Sequence, residues 1–267
     1  MKKLFIYFFL IALIPFNSFS NIVPCNESNC DKKFDLTLTR FIEAKEKNNK
    51  PILVWLSGGT GQYFSTSPLS EVEGIYDMVL MYNPYDISLG SQKRSDGYAP
   101  MAYKPDQADR IKSIIKFYKE KYKKPIWLGG QSFGAARTFA YLSASSENSK
   151  LISGVILTGT AVGSHKNNVI KIPFRKIKDL NLPIGIFHHK KDVCHTSHYI
   201  TAKRVKEKLE KINLGKTEFI SIETGNLPKD TKCGGKGRNA RNHMFEDSRK
   251  ELGVKVISFI ETNNKKN

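Results

Sequence analysis

Several signatures of metal and nucleotide chemistry are missing from this chain. It contains no His-Glu-x-x-His and no Cys-x-x-Cys, the spacings from which zinc centres are usually read. The glycine run Ser57-Gly58-Gly59-Thr60-Gly61 continues into neither Gly-Lys-Ser/Thr nor a full Gly-x-Gly-x-x-Gly, so it is no P-loop and no dinucleotide fingerprint. Internal repeats and long low-complexity linkers are absent too, which points to one domain. Acidic residues are scarce, 25 against 43 lysines and arginines, and the formal net charge is +18. Such a balance favours anionic partners. Yet Lys203, Arg204, Lys206, Lys208 and Lys211 share a helical segment with Glu207 and Glu210, the pattern of a solvated face. No basic module interleaved with aromatics stands out, so nucleic acid is not an expected partner. What remains is a weak attraction to anionic surfaces.

Cysteine is sparse but even in number, at four, which fits an oxidising compartment. Cys25 and Cys30 are close enough in sequence to close a small local loop. Long hydrophobic runs are confined to the start of the chain. Lys2 and Lys3 precede an apolar stretch from Leu4 to Phe16, and Ser18 and Ser20 supply small residues at the −3 and −1 positions of a cleavage site. The stretch is short for a membrane span. Residues 1–20 therefore read as a signal peptide, 21–267 as a single domain, and the protein as exported, to a periplasm or outside the cell. No cysteine directly follows the expected cut, so a lipid anchor has no support.

What the mature chain does contain is an alternation of apolar strands and amphipathic helices. Continuous apolar runs predict strands at 51–56, 75–82, 125–131, 151–157, 183–187 and 217–222. Helices are predicted after Pro105, where Ile111, Ile114, Ile115 and Tyr118 make an i, i+3, i+4, i+7 stripe, then from the opening of 133 to about 146, over 199–212 and over 246–262. The segment 31–49 fits either a helix or a leading strand, and 83–103 reads as loop. Such alternation predicts an α/β fold with a mostly parallel sheet and helices on both faces.

One stretch carries the chemistry. Pro125-Ile-Trp-Leu-Gly-Gly130-Gln-Ser132-Phe-Gly134-Ala-Ala136 begins as a buried strand, passes through Gly-x-Ser-x-Gly and continues into small helix formers. Glycines at 130 and 134 relieve a tight strand-to-helix turn, which leaves the Ser132 hydroxyl protruding at the carboxyl edge of the sheet. A serine hydroxyl needs a base, usually histidine, held by a carboxylate. In a parallel sheet both must come from later loops at the same edge. Asp192 follows the strand ending at Phe187, and His243 alone of the six histidines falls between the last strand and the last helix. Backbone N–H groups of Gly58 and Gly59, after an early strand, and of Phe133, directly after the serine, are the expected oxyanion donors.

With Gly130-Gln131-Ser132-Phe133-Gly134 as elbow and Ser132, Asp192, His243 in that order, the chain resembles the α/β-hydrolase family. The resemblance runs from the strand at Pro51 to the last helix. Its one departure is Ser57, where the family's oxyanion loop carries histidine. It implies a serine hydrolase with no cofactor and no metal, acting on a small-molecule ester or acyl substrate; a peptidase or acyltransferase would use the same machinery. Cys194 lies two residues after Asp192 and Cys233 ten before His243, so a bridge between them would tie the acid loop to the histidine loop. Closing such a loop of about 40 residues is worth roughly 4 kcal/mol by chain entropy. Two rivals stand beside this reading. His188, His189, Asp192, Cys194, His195 and His198 form a dense set of candidate metal ligands. A non-catalytic binding protein of the cell envelope would keep the fold and use its positive charge for attachment.

Overall fold

The computed structural model describes residues 18–30, 35–59, 61, 63–83, 105–160, 174–194, 197–227 and 241–264. Its strands are β1 (Ser18–Pro24), β2 (Leu36–Ile42), β3 (Ile52–Leu56), β4 (Met78–Met81), β5 (Ile126–Gln131), β6 (Gly154–Thr158), β7 (Ile184–His189) and β8 (Thr217–Ile222). Its helices are α1 (Pro105–Tyr122), α2 (Phe133–Ala144), the single turn α3 (Ser146–Ser149), α4 (Tyr199–Leu209) and α5 (Arg249–Asn264). All eight strands share one sheet in the order β1-β2-β4-β3-β5-β6-β7-β8. The ribbon β1–β2 and its junction with β4 are antiparallel, and every pairing from β4 through β8 is parallel. This is the α/β architecture expected from the alternation of elements.

Strand β3 shows why the apolar runs are continuous. All five of its residues are buried. Ile52, Val54 and Leu56 enter a core completed by Ile111, Ile114 and Tyr118 of α1, Phe139 of α2 and Val205 of α4. Leu53 and Trp55 point the other way, into a core with Trp127, Phe187 and Leu252, Val256 and Phe259 of α5. A strand covered by helices on both faces cannot alternate polar with apolar residues.

Within the segment at 31–49, Leu36–Ile42 form strand β2, and its polarity is inverted. Along β2 the side chains of Thr37, Thr39 and Phe41 are buried, while Leu36 and Leu38 are exposed. The threonines are accommodated by partners on α1. Thr39 Oγ1 and the Tyr118 hydroxyl lie 2.8 Å apart, and Arg110 Nη1 donates to Thr37 Oγ1 at 3.0 Å. The same guanidinium grips Asp106 through two bonds, of 2.8 and 3.0 Å. Helix α1 is thus fastened to the antiparallel end of the sheet by polar contacts.

Strand β1 had no counterpart among the expected elements. It takes in residues 18–20, which the expected leader contains, and pairs Ser18 with Ile42 and Asn21 with Thr39. A cut after Ser20 would leave only Asn21–Pro24 of this strand. Just beyond it, Cys25 and Cys30 form the expected disulfide. The loop expected at 83–103 lies, from 84 onward, outside the described residues. Among the described residues no helix is long and apolar enough to cross a membrane.

Phe259 is the rivet of the α5 face. Its ring meets those of Trp127 and Phe187 edge-on, each at a centroid distance of 5.9 Å. Truncation to alanine removes both contacts and opens a cavity between helix and sheet. Phe259→Ala is expected to lose about 4 kcal/mol of unfolding free energy, measured by urea denaturation. A loss under about 1 kcal/mol would mean that α5 contributes little to that core.

Candidate functional site

The turn from β5 into α2 is set by two close approaches. A Cβ on Gly134 would stand 1.9 Å from the Leu56 carbonyl oxygen at the end of β3, and a Cβ on Gly130 would stand 2.3 Å from the Gly134 carbonyl carbon. Only glycine permits strand, helix and neighbouring strand to come this near. Ser132 between them has φ 52° and ψ −113°, a left-side conformation that side chains seldom adopt. Its N–H donates to the Thr158 carbonyl oxygen at the end of β6, at 2.9 Å. The serine is only partly covered, and its hydroxyl makes no hydrogen bond among the described residues. The elbow predicted from the pentapeptide is present in backbone terms.

Asp192 lies three residues past β7 and is 1 % exposed. One carboxylate oxygen, Oδ1, accepts the Cys194 N–H at 2.9 Å. The other, Oδ2, is ringed by three groups: His243 Nδ1 at 2.9 Å, the Ser197 hydroxyl at 3.1 Å and His188 Nε2 at 3.1 Å. Burial by itself would push this carboxyl up; the two imidazoles, His243 foremost, outweigh it and hold the group well below the usual carboxylate range. Asp192 is therefore ionised at neutral pH.

His243, buried between β8 and α5, presents Nδ1 to Asp192. Its other ring nitrogen, Nε2, lies 3.4 Å from the side-chain amide nitrogen of Gln131, the residue immediately before Ser132. The ring also rests against Gly159 at the end of β6, where a Cβ would come within 3.1 Å of it. The imidazole is thereby oriented with one nitrogen on the acid and the other on the elbow. Gly58 and Gly59 follow β3 directly. A Cβ on Gly58 would strike the Gln131 side-chain oxygen at 2.0 Å, so this loop packs against the elbow as well. Among the described residues neither Gly58 nor Gly59 donates its N–H to an acceptor. Phe133 is the first residue of α2 and sits at the positive end of that helix.

The fold brings together the regions of Ser132, Asp192, His243, Gly58, Gly59 and Phe133 at the carboxyl ends of parallel strands. It disperses most of the candidate metal ligands. His189 Nε2 lies 3.0 Å from the Thr224 carbonyl oxygen, and His198 accepts the Ile200 N–H at the start of α4. His195 is outside the described residues. Among the described residues, Asp192, Cys194 and His243 alone bring ligand atoms within 4.8 Å of one another. Cys194, however, is disulfide-bonded, which removes the thiolate that would ligate a metal. Its expected partner, Cys233, lies outside the described residues. Sequence reasoning missed Ser197, whose hydroxyl is 2.8 Å from His243 Nδ1 as well as touching the acid. It also cast His188 only as a ligand, although the ring lies against Asp192 and the Ser197 carbonyl oxygen. A serine in a loop leaves no signal in sequence; only the chain path joins it to the acid.

No protein-family model matches the chain, and no curated protein is similar to it in sequence. Solved structures are similar in fold. A dienelactone hydrolase from Anabaena variabilis superposes with a TM-score of 0.56 at 11 % identity, over 92 % of this chain and 97 % of that one. An α/β serine hydrolase without lid from Xanthomonas campestris gives 0.53 at 13 % identity, over 94 % and 96 %. The acylaminoacyl peptidase of Pyrococcus horikoshii gives 0.60 at 14 % identity, over 93 % of this chain and 42 % of that one. The chain has the α/β-hydrolase fold.

The backbone at Ser132 makes its own prediction. Removing the side chain altogether relieves an unfavourable φ that alanine retains. Ser132→Gly should be more stable than Ser132→Ala by about 1 kcal/mol, read from denaturant midpoints at constant slope. Equal stability would show that the turn stores no strain.

Proposed function

We propose that the chain is an exported serine hydrolase that cleaves small-molecule carboxylic esters through an acyl-enzyme intermediate. The observation that supports this most directly is the orientation of His243: Nδ1 lies 2.9 Å from Asp192 Oδ2, and Nε2 faces the residue preceding Ser132. A neutral imidazole that donates from Nδ1 has its lone pair on Nε2, the arrangement a general base requires. The ionised, buried Asp192 fixes that tautomer and stabilises the imidazolium formed during reaction. The hydrolases of similar fold are consistent with this chemistry, and the disulfides at Cys25–Cys30 and Cys194 with an oxidising destination.

In this reading Ser132 Oγ attacks the ester carbonyl carbon as its proton passes to His243 Nε2. The carbonyl oxygen gains the negative charge and is met by backbone N–H groups of Gly58, Gly59 and Phe133. Collapse of the tetrahedral species expels the alcohol, which takes the proton from His243. Water then repeats the sequence on the acyl-enzyme, releasing the acid and restoring Ser132. Ser197 and His188 act as positioning residues, because both contact the acid and Ser197 also contacts the imidazole.

A fluorophosphonate should label the native protein on Ser132 and leave Ser132→Ala unlabelled; an unlabelled native protein would favour the binding-module reading. Among p-nitrophenyl esters of graded acyl length, Asp192→Asn should lower kcat by about 10⁴-fold through the wrong imidazole tautomer. His243→Ala retaining full esterase activity would overturn the assignment of the base.

A depressed carboxylate also links this site to stability. Asp192 contributes stability that is fully present above its unfolded-state pKa, near 4, and is lost as pH falls towards its lower folded-state value. The stability difference between native protein and Asp192→Asn should therefore shrink on acidification below about pH 4. A difference that grew in acid would reverse the sign of the inferred shift.

A further inference from the structure

Behind the glycine loop lies a cation that the reaction as derived does not use. Arg137 belongs to α2, one turn after Phe133, and has no exposed surface. Its Nη2 donates to the Ser57 carbonyl oxygen, at 2.5 Å. The guanidinium fills the space beside Gly61, where a Cβ would stand 2.6 Å from Nη2 and 2.9 Å from Nη1. Its central carbon lies 6.0 Å from the centre of the Phe133 ring. The group is thus wedged between the two elements assigned to the oxyanion, the loop after β3 and the first turn of α2.

Its surroundings are costly for a charge. Nε and Nη1 are buried without hydrogen-bond partners among the described residues. No carboxylate pairs with the guanidinium among the described residues, and the one electrostatic neighbour of note is the phenol of Tyr63. Tyr63 itself donates to the Gly58 carbonyl oxygen, at 2.9 Å. The positive end of α2 adds to the penalty. Burial lowers the guanidinium to about 10, which still leaves it charged at neutral pH. A neutral donor would hold the Ser57 carbonyl without these costs. An uncompensated buried cation is stabilised only when negative charge appears nearby, and the one place where the proposed reaction creates such charge is the oxyanion in front of this loop.

We propose that Arg137 is a positioning and electrostatic residue of the oxyanion site: it anchors the Ser57 carbonyl so that the N–H groups of Gly58 and Gly59 are presented to the substrate, and its unpaired charge backs the developing oxyanion. The inference rests on the serine-hydrolase reading. It assigns to Arg137 a preference for the tetrahedral, negatively charged species over the neutral ester, so its effect falls on kcat and leaves KM in place.

The test separates charge from hydrogen bonding. Arg137→Gln keeps a donor for Ser57 and loses the charge; Arg137→Lys keeps the charge. With a p-nitrophenyl ester, Arg137→Gln should lower kcat by about 100-fold with KM unchanged within threefold, and should weaken a trifluoromethyl ketone inhibitor by a similar factor. Arg137→Lys should recover at least tenfold of both. Thermal melts identify folded variants, and fluorophosphonate labelling reports Ser132. A folded Arg137→Gln within threefold of native kcat overturns the proposal, as do Gln and Lys variants with equal loss. Should Arg137→Gln fail to fold, a native-like melt of Arg137→Lys with a loss beyond 100-fold overturns it, and a loss within tenfold supports it. Native protein that takes no fluorophosphonate overturns the hydrolase reading and this inference together, whereas labelled native protein with an indifferent Arg137 overturns this inference alone.

Discussion

The contact on which most of this molecule turns is a missing one: the carbon that Gly134 lacks, 1.9 Å from the Leu56 carbonyl oxygen. Because that carbon is absent, α2 can start directly beneath the end of β3. Because α2 starts there, its next turn delivers Arg137 to the Ser57 carbonyl, and its first residue lies beside the loop of Gly58 and Gly59. Ser132 is held at a positive φ by the same closure. The local strain, of order 1–3 kcal/mol, is borne by the buried strands on either side, which are too tightly packed to relax it. Elbow, loop and helix are one construction, and none of its parts can shift alone.

The second centre of order is a carboxylate. Asp192 is removed from water and offsets that cost through contacts at both oxygens. A charge buried this completely is tolerable only when its partners are in place, so the loop after β7 cannot rearrange without exposing it or stranding it. The disulfide at Cys194, two residues on, fastens the same loop. His243 inherits this rigidity through its bond to the acid and through the floor that Gly159 provides.

How much of this could be read beforehand followed from how locally each feature is encoded. Strands β3, β5, β6 and β7 are buried on both faces and announce themselves as continuous apolar runs. The elbow is legible because its geometry admits so few residues. Asp192 and His243 were singled out through topology, since a parallel sheet gathers the ends of its strands on one edge. The segment at 31–49 resisted because β2 buries threonines and exposes leucines, a pattern that neither helix nor strand periodicity describes. Its threonines are matched by Tyr118 and Arg110, residues some seventy or eighty positions away. Ser197 and Arg137 were invisible for a related reason. Nothing adjacent in sequence distinguishes a serine or an arginine whose partners arrive from other strands.

Strand β1 raises a matter of timing. Ser18, Ser20 and Asn21, which flank the expected cut, are paired with Ile42, Arg40 and Thr39. Backbone locked in a sheet is not open to a peptidase, which needs an extended, unpaired segment in its cleft. A cut after Ser20 and completion of the sheet would therefore compete for the same few peptide bonds. Such a cut would have to come first, while the segment is still unpaired. Sheet formation at this edge would otherwise shield the bond from cleavage, and the finished molecule would carry at its rim a record of which event won.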